Sequence, residues 1–406
     1  MAPGKIRSEN NGVALKHILD GEFRASPGYD LVLFDRLPPD QKEALADLKN
    51  DPDFYGVLLP KEGNARGIKS VCKDTALLYL TLNQAGALPA YLHTALGERC
   101  NQAVAELVLD GVLEMARDGR FVCGAEAYDS IYLGSEPSQP AEETCGKLAR
   151  LAREALRYGQ AMDLEDSGRL SARLYFYNRI PLSARWARRL PSEDDAANYL
   201  GIDRHRARIE RRWTRQKIAE PFNGWFLWQL RDMHAADKQS GHGYKLYVSP
   251  QPDHARDAFE AVLEIAGDSG AHHFKIGNDA AGLLRPDKLV VYFWSLDALQ
   301  ETAKRILERL RDCPAHGVPF TAEITSDGLL SWGFDPPPDK GALAWRERES
   351  WRLWITNRLA TALLAAKKNG SGDIEPWQFA LERLRLENID TNTWAPTDAF
   401  GQATGE

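Results

Sequence analysis

Apolar positions first fall into helical register between residues 74 and 123. Ala76, Leu77, Tyr79, Leu80 and Leu82 fit one helix face, and Gly86 and Pro89 break the chain before a short second helix. Val104, Leu107, Val108 and Leu109 make the stripe of a third helix near 98–109. Asp118-Gly119 then separates two apolar runs, Gly111–Met115 and Arg120–Cys123, a pairing that predicts a tight hairpin. Three helices and a hairpin, in that order, predict a winged helix. Upstream, two short apolar runs, Leu31–Phe34 and Tyr55–Pro60, flank an acidic helix near 40–49.

The pattern changes after a polar, Pro-containing stretch at 134–143, which reads as a linker. A helix is expected over 144–161, and Arg173–Asn178 alternates as a strand would. Beyond 240 the period switches repeatedly. Lys245–Val248, His273–Ile276 and Leu289–Trp294 read as strands. Helices are expected at 252–266, through Phe259, Val262 and Leu263, and at 296–311, through Leu299, Ala303 and Ile306. Further strands at 320–324 and 329–332 flank Ser326-Asp327-Gly328, and Pro336-Pro337-Pro338 closes the unit. A long helix over 346–368 carries Trp351, Trp354, Ile355, Leu359 and Leu363. The tail from 390 is expected to be disordered.

The fold class is therefore α+β. A winged-helix-like domain is expected over 1–133, a linker and helix over 134–159, and a second domain over 160–370. That domain is expected to hold a small mixed or antiparallel sheet with packed helices, and 371–406 a C-terminal helix and flexible tail.

Composition narrows the partners. The net charge of −7 and a third helix that carries Glu98 and Arg99 at its start, then Glu106 and a trailing Asp110, but no lysine, argue against nucleic acid. Five cysteines without a CxxC pair fit reduced thiols and offer no metal spacing, so neither metal nor cofactor is expected. No apolar run approaches the ~18 residues of a membrane span. The expected location is the cytoplasm. All eleven tryptophans follow residue 180, where they build core or line a peptide groove. Arg204–Lys217 holds seven Lys/Arg against Glu210; it reads as a solvated helix face or as a groove for an acidic peptide.

The chemistry-bearing residues lie in or beside the short strands. Lys245, Tyr247, Lys275, Arg285 and Tyr292 occupy Tyr244–Ser249, His272–Gly277 and Arg285–Phe293. Strand-end cations cost desolvation energy unless an anion meets them, and clustered cations lower a lysine's pKa. A phosphate clamp beside an activatable lysine is what phosphate β-elimination requires. The bland readings are plain: lysines with ammonium groups in water, a local Arg285–Asp287 turn pair, a core Tyr292 and a surface His272-His273 pair.

Lys-x-Tyr in a first strand, a second lysine before a turn, and Arg285-x-Asp287-x-Leu289-Val290-Val291-Tyr292 resemble the phosphothreonine lyases of bacterial effectors. The pattern is similar to the plant-pathogen Hop A effector family. It is also similar to the lyase domains of class III and IV lanthipeptide synthetases and the lyase-like proteins of class V lanthipeptide and thioamitide clusters. The resemblance covers roughly 170–370. It implies Lys275 as base and Lys245, Arg285 and Tyr292 as phosphate contacts. Tyr247 stands where effector lyases have a histidine acid, and His273 or its neighbour His272 is a candidate substitute. The second phosphate arginine has no counterpart in Gly328–Pro337, and Arg179 is a candidate for it, with Arg185 and the 204–217 cluster as others.

Residues 74–123 resemble the winged-helix domains that bind leader peptides by strand addition. The implied partners are a phosphorylated ribosomal precursor peptide, a separate Ser/Thr kinase and a cyclase. The alternative is a non-catalytic phosphopeptide- or leader-binding subunit, or an effector of the same fold. A transcriptional regulator is a third reading, which the acidic third helix disfavours.

Overall fold

The computed structural model describes residues 15–45, 48, 51–61, 68–133, 145–217, 224–231, 243–336, 350–368 and 374–397. The predicted linker at 134–143 lies outside them. The first unit contains β1 (Glu22–Ala25), β2 (Tyr29–Leu33), α1 (Pro39–Ala44), β3 (Phe54–Pro60), β4 (Lys69–Cys72), α2 (Lys73–Thr81) and β5 (Gly86–Ala87). It continues through α3 (Tyr91–Leu96), α4 (Cys100–Leu109), β6 (Leu113–Arg117), β7 (Arg120–Val122) and α5 (Tyr128–Ile131). Its sheets run β5-β1-β6-β7 and β2-β3-β4. The Asp118-Gly119 turn forms as read: both residues have positive φ, 50° and 79°, as a two-residue hairpin turn of this hand requires.

Five helices follow: α6 (Lys147–Ala161), α7 (Ser167–Tyr175), α8 (Ala184–Arg189), α9 (Glu193–Leu200) and α10 (Arg206–Arg212). The strand expected at 173–178 is instead the end of α7. Asp166 caps that helix by accepting from Arg169 N, and Leu170 and Leu174, four residues apart, are both buried. The alternation was a helix stripe running out into a turn.

The main sheet is built from β8 (Trp213–Gln216), β9 (Trp225–Leu230), β10 (Tyr244–Val248), β11 (Ala271–Gly277), β12 (Leu289–Phe293), β13 (Ala322–Glu323) and β14 (Leu330–Phe334). Its order is β13-β14-β10-β12-β11-β9-β8, and every pairing is antiparallel, the second of the two alternatives. Helices α11 (Ala255–Ile265), α12 (Ala280–Leu283) and α13 (Leu296–Arg309) lie between its strands in sequence.

Strand periodicity sorts this sheet into two chemically different faces. Phe226, Trp228, Leu246, Phe274, Ile276, Val291 and Phe293 are fully or nearly fully buried on one face. There Phe259 of α11 meets Trp228 and Phe274, with centroids 5.6 and 6.2 Å apart, and α13 packs on β10 and β12. The other face carries lysines, tyrosines and a histidine.

That second face is roofed by α7 and by α14 (Trp351–Lys368). The Trp351 indole lies over Gly333, where a Cβ would come within 2.5 Å of it, so only glycine fits. Helix α15 (Pro376–Leu386) then returns to the first unit. Gln102 Nε2 donates to Leu386 O at 2.6 Å, and Arg383 pairs with both oxygens of Asp110. One continuous core joins the two units.

The last described residues are not a loose tail. β15 (Ile389–Asp390) and β16 (Ala395–Pro396) pair, and Trp394 is fully buried against Phe320. No described helix is long and apolar enough to cross a membrane.

Candidate active site

Register places the predicted residues in two adjacent rows on the polar face. Gly333, Lys245, Tyr292, His273 and Gln229 form one row across β14, β10, β12, β11 and β9. Ser331, Tyr247, Val290, Lys275 and Leu227 form the next. The structure thus gathers Lys245, Tyr247, Lys275 and Tyr292 on one surface. The two lysines converge on one ring: their Nζ atoms lie 5.5 and 5.9 Å from the Tyr292 centroid.

Arg285 reaches the same place from the turn before β12. Its Nε and one Nη donate to the two Asp287 oxygens at 2.8 and 2.9 Å, and the same Nη contacts the Tyr175 hydroxyl at 3.2 Å. The local pair anticipated for Arg285 and Asp287 is therefore real, yet it does not exhaust the arginine. Its other Nη makes no hydrogen bond among the described residues. Arg285 and Lys275 both stand over the Trp225 ring, at 4.7 and 4.3 Å.

Sequence reasoning missed Arg352, which stands behind Asp287. It is 1% exposed, lies 2.8 Å from Asp287 Oδ2, and donates to Pro319 O and Tyr175 O. Its Nε and one Nη donate to backbone, and the other Nη lies buried against Asp287 without a hydrogen bond, so it adds positive field without reaching outward. Tyr175, Trp225 and Asp335 were also missed as members of the site. Asp335 pairs with Lys245. The one signal for Tyr175 was its place in the aromatic run Arg173–Asn178.

The electrostatics follow from burial and these neighbours. Burial pushes the Lys275 ammonium below the ordinary lysine range; Arg285 adds to that, while Tyr175 and Asp287 oppose it. Lys275 has no ion pair or hydrogen bond among the described residues, so little holds its proton. Burial would raise the Asp287 carboxyl, but Arg285 and Arg352 outweigh it and hold the group well below the usual carboxylate range. Burial drives the Tyr247 phenol well above its usual value, with Arg352 pulling the other way. Burial also pushes Tyr292 up to about 12 against Lys245. Both phenols stay protonated at neutral pH and can donate.

His273 and Arg179 lie at the margins. His273 flanks Tyr292, and its Nδ1 contacts that of His272. Burial and His273 lower the His272 pKa to about 4. Arg179 sits over Phe176, the ring that also carries Arg285, with its guanidinium donating to Ala281 O at 3.1 Å. The arginine run 204–217 is largely spent in surface pairs: Arg206–Asp203, Arg208–Glu264, Arg212–Asp268 and Arg215–Glu193. Among the described residues no cluster of three His, Cys, Asp or Glu could hold a metal. A cleft of about 290 Å³ lined by Leu148, Thr321, Glu323 and Trp394 shares no residue with this set.

Four cations, Lys245, Lys275, Arg285 and Arg352, thus face two carboxylates. The arrangement can receive an anion, donate from phenols and accept a proton at Lys275. No family profile and no curated protein matches the sequence. Among solved structures, the chain is similar to an effector protein from Pseudomonas syringae pv. tomato strain DC3000. It is 13% identical, over 63% of this chain and 99% of that one, with a TM-score of 0.40. An effector from Pseudomonas syringae pv. syringae strain 61 matches at 11% identity over 61% and 98% of the two chains, TM-score 0.37. The phosphothreonine lyase OspF from Shigella flexneri matches at 10% identity over 34% and 89%, TM-score 0.25. These likenesses are distant in sequence and partial in shape, and the functional reading rests on the residues themselves.

Proposed function

We propose that this chain eliminates phosphate from phosphothreonine or phosphoserine in a peptide. The observation that carries the reading is Lys275: a half-buried lysine without an ion pair, kept below the ordinary lysine range, on the same face as Lys245 and Arg285. In the reaction Lys275 takes the α-proton, and that electron pair becomes the Cα=Cβ bond. The Cβ–O bond breaks, and the phosphate leaves with its electrons while Tyr247 donates a hydrogen bond to it and solvent supplies any proton it takes up. Lys245 and the Nη of Arg285 that makes no hydrogen bond among the described residues hold the phosphoryl oxygens, Tyr292 lies between the two lysines, His273 stands beside Tyr292, and Arg179 shares the Phe176 ring with Arg285.

The substrate in this reading is a ribosomally made precursor peptide. A separate Ser/Thr kinase phosphorylates it, and its dehydroamino acids pass to a cyclase. The support is the sequence resemblance over 170–370 and the unit at 74–123, whose β7 lies at the edge of its sheet.

Mass spectrometry of a phosphothreonine peptide tests the reaction. Elimination removes phosphoric acid and leaves an alkene, whereas hydrolysis restores the alcohol. Lys275→Ala is expected to slow elimination ~10²–10⁴-fold with binding kept. Lys275→Arg should do the same, because a guanidinium does not deprotonate. The wild-type rate should rise with pH through the lowered Lys275 pKa, since the base must be neutral. Full activity in both variants removes Lys275 from the mechanism.

One observation favours a second reading, a phosphopeptide-binding subunit without turnover. Lys245 and Arg285 are already engaged by carboxylates, and Tyr247 stands where effector lyases have histidine. Stoichiometric phosphopeptide binding with no loss of phosphoric acid would select it.

A further inference from the structure

We infer that Asp335 is a built-in competitor for the phosphate, so that the site accepts a dianionic phosphoryl group and refuses an acidic side chain. The inference rests on reading this face as a phosphate site.

Lys245 lies mid-sheet and is 7% exposed, so its ammonium cannot turn to water and requires an anion nearby. Asp335 supplies one. Its own side chain is 38% exposed, and its other ties are modest: the backbone N donates to Gly243 O at 2.8 Å, and Oδ1 lies 3.4 Å from Trp351 N. The exchangeable member of the pair is therefore the carboxylate. Asp287 differs. Its side chain is 6% exposed and is held by Arg285 and Arg352, so it cannot leave.

Charge then decides which ligand displaces Asp335. A substrate carboxylate would exchange one negative charge for another at Lys245 and still lose its own hydration. A phosphoryl group carries about two negative charges at neutral pH and three acceptor oxygens. It replaces Asp335 at Lys245 and has charge and acceptors left for the free Nη of Arg285. The carboxylate thus acts as a threshold that weakens every anion and hides the weaker ones.

The test uses the full chain, a labelled phosphothreonine peptide, and the same peptide with Glu at that position. Wild type should bind the first and not the second. Asp335→Asn should bind the phosphopeptide about tenfold tighter and bring the Glu peptide into the measurable range. Asp335→Ser, which also keeps an acceptor for Trp351 N, carries the same expectation if the Asn variant unfolds; thermal unfolding shows which variant is sound. A folded variant that binds the phosphopeptide no tighter than wild type overturns the role of Asp335 alone. If wild type and both variants ignore the phosphopeptide, the phosphate site itself fails and this inference falls with it.

Discussion

Two buried charge clusters in this molecule are near opposites. At the candidate site one carboxylate, Asp287, is held between Arg285 and Arg352, with Lys275 close by. Where α15 meets the first unit, one buried arginine, Arg383, meets Asp110, Glu387 and Glu106, and Arg358 also pairs with Glu387 at 3.7 Å. Burial and the neighbouring Glu387 push the Glu106 carboxyl up to about 7, with Arg383 only partly offsetting them. The first cluster has cations to spare and can hold an incoming anion. The second sets three carboxylates against two arginines, Arg383 and Arg358, and burial makes Glu106 the one that holds its proton. Buried charge alone does not mark a binding site; the sign of the surplus does.

The comparison can be broken most forcefully at Asp287. Asp287→Ala leaves two buried guanidiniums without their carboxylate and should destabilise the fold by ~3–5 kcal/mol, read from denaturant unfolding. Because the native pKa of Asp287 is depressed, its contribution is fully present above the unfolded value near ~3.9 and is lost as pH falls below it. A neutral outcome at pH 7 would mean the arginines repair themselves with water.

Arg285→Ala tests the surplus directly. Phosphopeptide binding should weaken by ~1.5–3 kcal/mol, and unphosphorylated peptide should be little affected. Equal losses for both peptides would show that the cluster does not read phosphate.

The smallest effect belongs to the acid-rich cluster. The raised Glu106 pKa gives stability that is present below the unfolded value near ~4.3 and lost as pH rises through about 7. Glu106→Gln should therefore be more stable than wild type at pH 8, by roughly 1 kcal/mol after solvent screening, and close to it at pH 5. Parallel stability profiles for the two proteins would show that Glu106 titrates normally.

Much of this was legible in the sequence, for reasons that differ by element. The 118–119 turn and helix α13, capped by Ser295, announced themselves through local chemistry. Lys245, Lys275 and Tyr292 could be assigned to strands because period-2 alternation is local too. Their convergence depends on the register of three strands. Arg352 was invisible because its hydrophobic neighbours Trp351, Trp354 and Ile355 read as an ordinary core helix, and its partner Asp287 is far away in sequence. Tyr175 was misread because two apolar positions at the end of a helix mimic a strand. The buried Trp394 was missed because its surroundings, Asn392, Thr393 and Pro396, are those of a surface turn.

Trp394 has a consequence for how the protein is made. Trp394 and Phe320 pack together, and both sit at positive φ, 58° and 64°, a conformation that costs ~1–3 kcal/mol for such residues unless surrounding contacts impose it. Phe320 O in turn accepts from the Trp351 indole, and Pro319 O accepts from Arg352. A chain emerging from the ribosome exposes Lys245, Lys275 and Arg285 well before it exposes Arg352 or Trp394. The reactive face is thus assembled from its middle and locked from its last described turn, so a nascent chain carries its lysines long before it can use them.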